Sequence, residues 1–281
     1  MNGLGRQVQD CRDPAQFLNL WLEQPLLRGE AQDTLDTYYA SYRADFAQRM
    51  QHFYADQLRE VTQLVESRPG LRLLEVGCGC GSESLWLSLR GAEVLGLDVK
   101  ADRAATARQR AAVLSEATGS SLKVRFETAN LLDLAPADGN FDVIWMEQAF
   151  HHLEPRDDVV AHLAALLRPG GNLVISEANA WNPLLQTQLL LRRGLRTVTH
   201  YVDEQGRRHP YGNERVLSAA ALARLMSGAG IECQSVRHFR MFPNHAFFAP
   251  LAGVEQALAG NWLAPLTTHY NYVGRKPGPG A

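Results

Sequence analysis

A chain of 281 residues with 46% hydrophobic residues can bury a large core, and its length admits one large domain or two small ones. A formal net charge of −2 gives no electrostatic case for a nucleic-acid partner, and no apolar run is long enough to span a bilayer. Residues 1–14 are polar, and the four cysteines, Cys11, Cys78, Cys80 and Cys233, have no C-x-x-C spacing, so the expectation is a cytoplasmic protein with free thiols and no metal.

Residues 1–70 read as helical. A short helix is expected over 14–22 and a longer one over 42–65, where Phe46, Met50, Phe53, Leu58, Val61 and Leu64 form one stripe. Arg68-Pro69-Gly70 stops it. Ahead of it lies an aromatic cluster of Tyr38, Tyr39 and Tyr42. Two readings stay open: a staple between the N-terminal helices and the core, or part of a lid, with Tyr38 and Tyr39 lining an acceptor pocket.

Strands and helices then alternate. Strands are expected over 71–76, 92–98, 122–126, 141–146 and 172–176, with helices over 101–118 and 156–167. Gly119 stops the first of these helices and Arg168-Pro169-Gly170-Gly171 the second. Such alternation implies a parallel sheet with helices on both faces. Residues 178–215 break the rhythm, with no clean strand, a Leu-rich basic stretch over 184–198 and a polar loop over 203–213. That Leu-rich stretch reads either as a helix covering the core or as an apolar tunnel or membrane-surface patch. The alternation resumes with a helix over 218–227 capped by Ser218, a strand over 231–240, a helix over 250–259 and a strand over 267–273. The division read from this is a helical cap, 1–70, and a domain, 71–281, carrying an insertion at 178–215.

Chemistry concentrates at the carboxyl ends of the expected strands. Leu73-Leu74-Glu75-Val76-Gly77-Cys78-Gly79-Cys80-Gly81 is an apolar run leading into alternating glycines, followed by a helical pattern from Ser82. Strand, glycine turn and helix make a nucleotide-type site with backbone N–H groups aimed at a ligand. A dinucleotide fingerprint would need glycine at position 82, where Ser82 stands. Asp98 closes the second strand, where a carboxylate can accept hydrogen bonds from both hydroxyls of a ribose. Asn130 and Leu131 follow the third strand, and the fourth runs into Met146-Glu147-Gln148-Ala149-Phe150-His151-His152. A histidine there can take a proton from an acceptor, and Glu147 competes for that role.

The glycine turn as E-x-G-x-G-x-G, Asp98, Ala129-Asn130-Leu131, the run 141–153 and the run 166–175 occur in an order that strongly resembles the class I S-adenosylmethionine (SAM) dependent methyltransferases of small molecules and lipids. The resemblance covers about residues 70–178. It implies a Rossmann-like seven-stranded, mostly parallel sheet, with SAM as cofactor and S-adenosylhomocysteine as product. By position, Gly77, Cys78, Gly79 and Gly81 would lie beside the methionine part, Glu75 would take its amino group, and Asp98 would hold the ribose. Asn130, where the family often has Asp, and Leu131 would meet adenine, with Met146 and Glu147 closing the far side. Phe150-His151-His152 also resembles the cyclopropane fatty-acid synthase branch, which has Glu where His151 stands. His152, Trp181 and Tyr211 join Tyr38 and Tyr39 as candidate acceptor-binding residues. The implied function is SN2 methyl transfer to a small-molecule or lipid-like acceptor. The alternatives are non-methylating chemistry on the same fold, or SAM binding for regulation, and a nicotinamide dehydrogenase is the rival at the level of the fold. Oligomeric state stays open.

Overall fold

The computed structural model describes residues 3–40, 42, 51–203, 206–242, 246–258 and 260–278. The chain divides into two units, residues 1–130 with 243–252, and residues 131–242 with 253–281.

In the first unit the described N-terminal helices are α1 (Gly3–Asp10), α2 (Pro14–Glu23), α3 (Glu30–Tyr38), α4 (Gln51–Gln57) and α5 (Arg59–Ser67). The alternation β1 (Arg72–Val76), α6 (Ser82–Leu89), β2 (Glu93–Asp98), α7 (Ala101–Thr118) and β3 (Val124–Thr128) follows. Asp13 caps α2 by accepting the Gln16 N–H at 2.9 Å, and Pro14 sits in the first turn, where its missing N–H costs nothing. The single helix expected over 42–65 is interrupted at Leu58 between α4 and α5. Phe53, Leu58 and Val61 are buried as the stripe requires, whereas Phe46 and Met50 lie outside the described residues. Helices α1 and α3 fall in the stretch read as helical but had no bounds from the sequence; each buries only two residues, too few for a periodic signal.

Phe17, Leu18 and Trp21 of α2 are fully buried, with the Phe17 ring 5.9 Å from Trp86 of α6. Arg110 of α7 is wholly buried as well. Its guanidinium lies 4.3 Å from the Trp21 ring and donates to the Cys80 carbonyl at 2.7 Å and Ser82 Oγ at 2.8 Å. One cation therefore joins an N-terminal helix, the glycine turn and α7, and removing it would leave buried acceptors unpaired.

From Leu131 onward the elements are β4 (Phe141–Glu147), α8 (Arg156–Leu166), β5 (Leu167–Ala178), α9 (Pro183–Arg193), β6 (Val198–Val202), β7 (Arg208–Gly212), α10 (Ala219–Gly228), β8 (Glu232–Phe239), α11 (Ala252–Leu258) and β9 (His269–Arg275). Seven strands form one sheet in the order β3-β2-β1-β4-β5-β9-β8. β1 pairs with β2, β2 with β3 and β4 with β5 in parallel, while β9 runs antiparallel to both β5 and β8. This is the Rossmann-like, mostly parallel sheet that the sequence implied. Its central strands are apolar along their length because both faces are covered: Leu73, Leu74, Ile144, Trp145, Leu173 and Val174 are wholly buried.

Three expectations for the chain after Leu131 need correction. β5 starts at Leu167, so Arg168-Pro169-Gly170-Gly171 runs within the strand instead of ending a helix; the register shifts between Phe141 and Val143, and Gly170 has φ 77°. The insertion contains an antiparallel hairpin, β6 with β7, where no strand was expected. β6 is mostly exposed, with Val198 and Val202 among its exposed residues, and β7 contains Pro210 and Gly212, so the burial pattern that marks a half-buried strand is missing. The helix expected over 250–259 is instead a 3-10 segment, Ala246–Leu251, followed by α11; Pro250 supplies no N–H for a regular α-turn. Helix α9 buries only Leu189 and leaves Leu184, Leu190 and Leu191 exposed. Among the described residues, no helix is long and apolar enough to cross a membrane.

Candidate active site

β1 ends at Val76, and Gly77, Gly79 and Gly81 all take positive φ, 80°, 52° and 79°. The N–H groups of Gly77 and Cys78 donate to the Leu97 carbonyl at 2.8 and 2.9 Å, which holds the turn against the end of β2. The last residue of β2 completes that attachment. Asp98 accepts the Gly79 N–H on Oδ2 at 2.9 Å and the Lys100 N–H on Oδ1 at 2.8 Å. Each carboxylate oxygen keeps a further lone pair, the acceptor set that a pair of vicinal hydroxyls needs. Burial raises the Asp98 carboxyl above its usual range, and the two N–H donors restrain that rise.

The turn tolerates no side chain at Gly81, where a Cβ would strike the Phe126 ring and Ala107. At Gly79 a Cβ would fall in the Tyr38 ring, which itself sits 4.8 Å from the Arg103 guanidinium. Tyr38 thus lies directly against the glycine turn. Tyr39 is buried and donates its hydroxyl to Ser82 Oγ at 2.7 Å, and the Tyr54 hydroxyl binds Glu83. Both members of the expected pair are therefore placed at the turn, Tyr39 with the contacts of a staple. Glu75 is buried in β1 and accepts the Ser84 hydroxyl. Burial pushes the Cys80 thiol up to about 12 and the Cys78 thiol well above its usual value, so both stay protonated and unreactive at neutral pH. Asn130, past β3, is half-buried.

The second unit holds the histidines. Leu131 and Met146 are buried, and Glu147 is half-buried at the end of β4. Gln148 takes φ 48°, and the chain then turns through a short 3-10 segment, Phe150–His152. His151 is buried; its Nδ1–H donates to Glu177 Oε2 at 2.7 Å, its backbone N–H donates to Glu177 Oε1 at 3.2 Å, and its Nε2 lies 3.6 Å from Glu214 Oε2. His152 donates Nδ1–H to the Gly212 carbonyl at 2.8 Å and stacks on Tyr211 with centroids 4.5 Å apart. A carboxylate and a carbonyl only accept, so each histidine, when neutral, carries its proton on Nδ1 and a lone pair on Nε2. Burial alone would lower the His151 pKa, but the charge and hydrogen bond of Glu177, with the charge of Glu214, outweigh it and raise the pKa. Burial, then the neighbouring His151, lower that of His152.

The hairpin brings several of these groups together. β7 lies so close to the histidine turn that a Cβ on Gly212 would collide with the His151 carbonyl oxygen. Arg215 Nη1 donates to Glu154 at 2.7 Å, and Arg156 donates to the Arg215 carbonyl at 3.1 Å, which anchors the chain at the residue after Glu214. The structure thus places His151, His152 and Tyr211 in one cluster, whereas Trp181 is 53% exposed. Glu177 and Glu214 were not singled out from the sequence. Glu177 carried the same signal as Asp98, an acid near the carboxyl end of a buried strand. Glu214 carried none, because its role depends on where the hairpin lands.

A family model described as a methyltransferase domain matches residues 74–175, the stretch that holds the glycine turn, Asp98 and His151. Over this stretch the chain is similar to the class I SAM-dependent methyltransferases. It is 39% identical over 109 residues to Methyltransferase GfsG of Streptomyces halstedii, 38% of each chain. To 27-O-demethylrifamycin SV methyltransferase of Amycolatopsis mediterranei it is 32% identical over 111 residues, 39% of each chain. The chain thus spans about two fifths of the length of these curated relatives. The crystal structure of magnesium protoporphyrin IX methyltransferase from Synechocystis with bound S-adenosylhomocysteine shares the methyltransferase fold, with a TM-score of 0.56 over 94% of this chain and all of that one, at 16% identity.

The close approach at Gly212 makes a direct prediction. Gly212→Ala should destabilise the protein by about 1–3 kcal/mol, because the added methyl has no room. Gly228→Ala, at a helical site with open space, should change stability by under about 0.5 kcal/mol or raise it slightly. Urea unfolding curves of the two variants would separate these outcomes, and equal midpoints would contradict the packing.

Proposed function

We propose that this chain is a SAM-dependent methyltransferase that methylates a hydroxyl oxygen of a small, largely apolar acceptor. The observation that carries the cofactor reading is Asp98, a buried carboxylate tied to the glycine turn through the Gly79 N–H with lone pairs to spare. In this reading the ribose hydroxyls donate to Asp98, and Gly77, Cys78, Gly79, Gly81 and Glu75 flank the methionine part. Asn130, Leu131, Met146 and Glu147 line the adenine side. Bound SAM supplies the methyl group together with its own leaving group, so alignment dominates the catalysis.

On the acceptor side, His151 would take the proton that the acceptor hydroxyl loses on methylation, at its Nε2. Glu177 fixes the tautomer that exposes that lone pair and stabilises the imidazolium that results. The half-buried Glu147 remains the competing base. Residues 1–70 act as a cap, with Tyr38 and Tyr39 at the turn, and the 178–215 insertion supplies acceptor contacts through Tyr211, His152 and Trp181. The exposed leucines of α9 support a lipid-like acceptor, and the printed name of the Amycolatopsis relative supports oxygen as the methylated atom.

The test is incubation with SAM carrying a deuterated methyl group and a panel of hydroxylated acceptors, read by mass spectrometry. Transfer of the labelled methyl supports the reading; intact acceptors across a broad panel, despite cofactor binding, would favour regulatory or non-methylating use of the fold. Asp98→Ala should weaken S-adenosylhomocysteine binding by about 1.5–3 kcal/mol, as expected for lost hydrogen bonds to a charged group; an unchanged dissociation constant would remove Asp98 from the site. His151→Ala should lower kcat by about 10²–10⁴-fold with cofactor affinity retained, and full turnover would leave His151 without a role in proton transfer.

A further inference from the structure

We infer that His151, His152 and Glu214 form a site for one divalent transition-metal ion. The three residues present one ligand atom each within 4.8 Å of one another: the two imidazole nitrogens and a Glu214 carboxylate oxygen. Two histidines and one carboxylate, with positions left open, are a ligand set that suits zinc, cobalt or ferrous iron.

The set is prepared beyond the three ligands. A metal-binding histidine almost always donates its other ring N–H to a carboxylate or a carbonyl, which fixes the ring and the tautomer. Both partners are present here: Glu177 for His151 at 2.7 Å and the Gly212 carbonyl for His152 at 2.8 Å. The two rings are tilted at 54° to each other with centroids 4.0 Å apart, and each has its Nε2 lone pair uncommitted to those partners. Glu214 holds φ 51°, a left-handed backbone that a residue with a Cβ adopts at some cost, and the Arg215–Glu154 pair anchors the chain beside it. Glu177 and Glu214 together balance the charge of a dication. Tetrahedral bonds of about 2.0–2.1 Å space ligand atoms roughly 3.3 Å apart, so the set must contract. His151 Nε2 and Glu214 Oε2 are already 3.6 Å apart, and the Glu214 side chain is 43% exposed and free to adjust.

The site engages the same His151 lone pair that the proposed reaction uses, so a bound ion withdraws that base and gives methyl transfer a metal-sensitive off state. That consequence rests on the functional reading; the metal site itself does not.

The experiment is calorimetric titration of Zn²⁺, and absorption titration of Co²⁺, into untagged full-length protein freed of metal by a chelator, without SAM or acceptor. One ion per chain is expected, with cobalt bands of four- or five-coordinate intensity. Glu214→Gln and His152→Ala should each weaken binding by at least about tenfold, and Glu177→Gln by about 10–100-fold through the loss of His151 orientation. Unchanged circular dichroism in each variant would show that the fold survives, and Glu214→Gln, at a partly exposed position, is the variant least able to disturb it. Cys233→Ser, at an exposed cysteine away from these ligands, should bind as the parent does. Absence of stoichiometric binding, or binding that Glu214→Gln and His152→Ala leave unaltered, would overturn the site. Failure of methyl transfer with metal binding intact would overturn the functional reading instead.

Discussion

The Asp98 carboxylate is the constraint on which the first unit depends. A buried carboxylate is costly unless hydrogen bonds satisfy it. Here the satisfying donors are the backbone N–H groups of Gly79 and Lys100, so the side chain that ends β2 also shapes the turn that follows β1. The rest of the unit packs to protect that arrangement. Phe126 and Ala107 fill the space that a side chain at Gly81 would need, Arg110 ties Cys80 and Ser82 to the Trp21 ring, and Tyr39 and Tyr54 reach Ser82 and Glu83. The N-terminal helices are therefore held to the turn by polar side chains as well as by the Phe17–Trp86 contact.

The second unit applies the same device to a histidine. Glu177, near the end of β5, binds both the ring and the backbone N–H of His151, which follows β4. The remaining partners come from the hairpin, which presses Gly212 onto the histidine turn and delivers Tyr211 and Glu214 beside it. A scaffold of parallel strands fixes the acids and the histidine, while an insertion peculiar to this chain's rhythm completes their surroundings. In the proposed reading fold and function separate: the strands would determine where a ligand sits, and residues 178–215 what it meets.

How much of this was legible in the sequence follows from where each signal is local. The glycine turn is local, because positive φ at three alternating positions demands glycine, and Asp98 is local, because an acid ends an apolar strand. The capping residue Ser218 and the stop at Gly119 are local too. The hairpin was not legible. Its apolar residues are few and partly exposed, and it is held by contacts with Leu153 and the histidine turn, which lie far away in sequence. Glu214 was invisible for the same reason. The break at Leu58 was hidden because the apolar stripe continues across it, and the buried Arg110 was hidden because an arginine in an Ala-rich helix reads as surface until Trp21 and the Cys80 carbonyl are brought to it.

The glycine spacing, with Ser82 where a dinucleotide fold needs glycine, together with the Asp98 carboxylate, points to a SAM-type ligand in place of a nicotinamide one. The most direct test is calorimetric titration of the full chain with S-adenosylhomocysteine and, separately, with NADH. Saturable one-to-one binding of S-adenosylhomocysteine with no heat from NADH is expected. Binding of NADH with none of S-adenosylhomocysteine would contradict the cofactor assignment and the methyl transfer built on it.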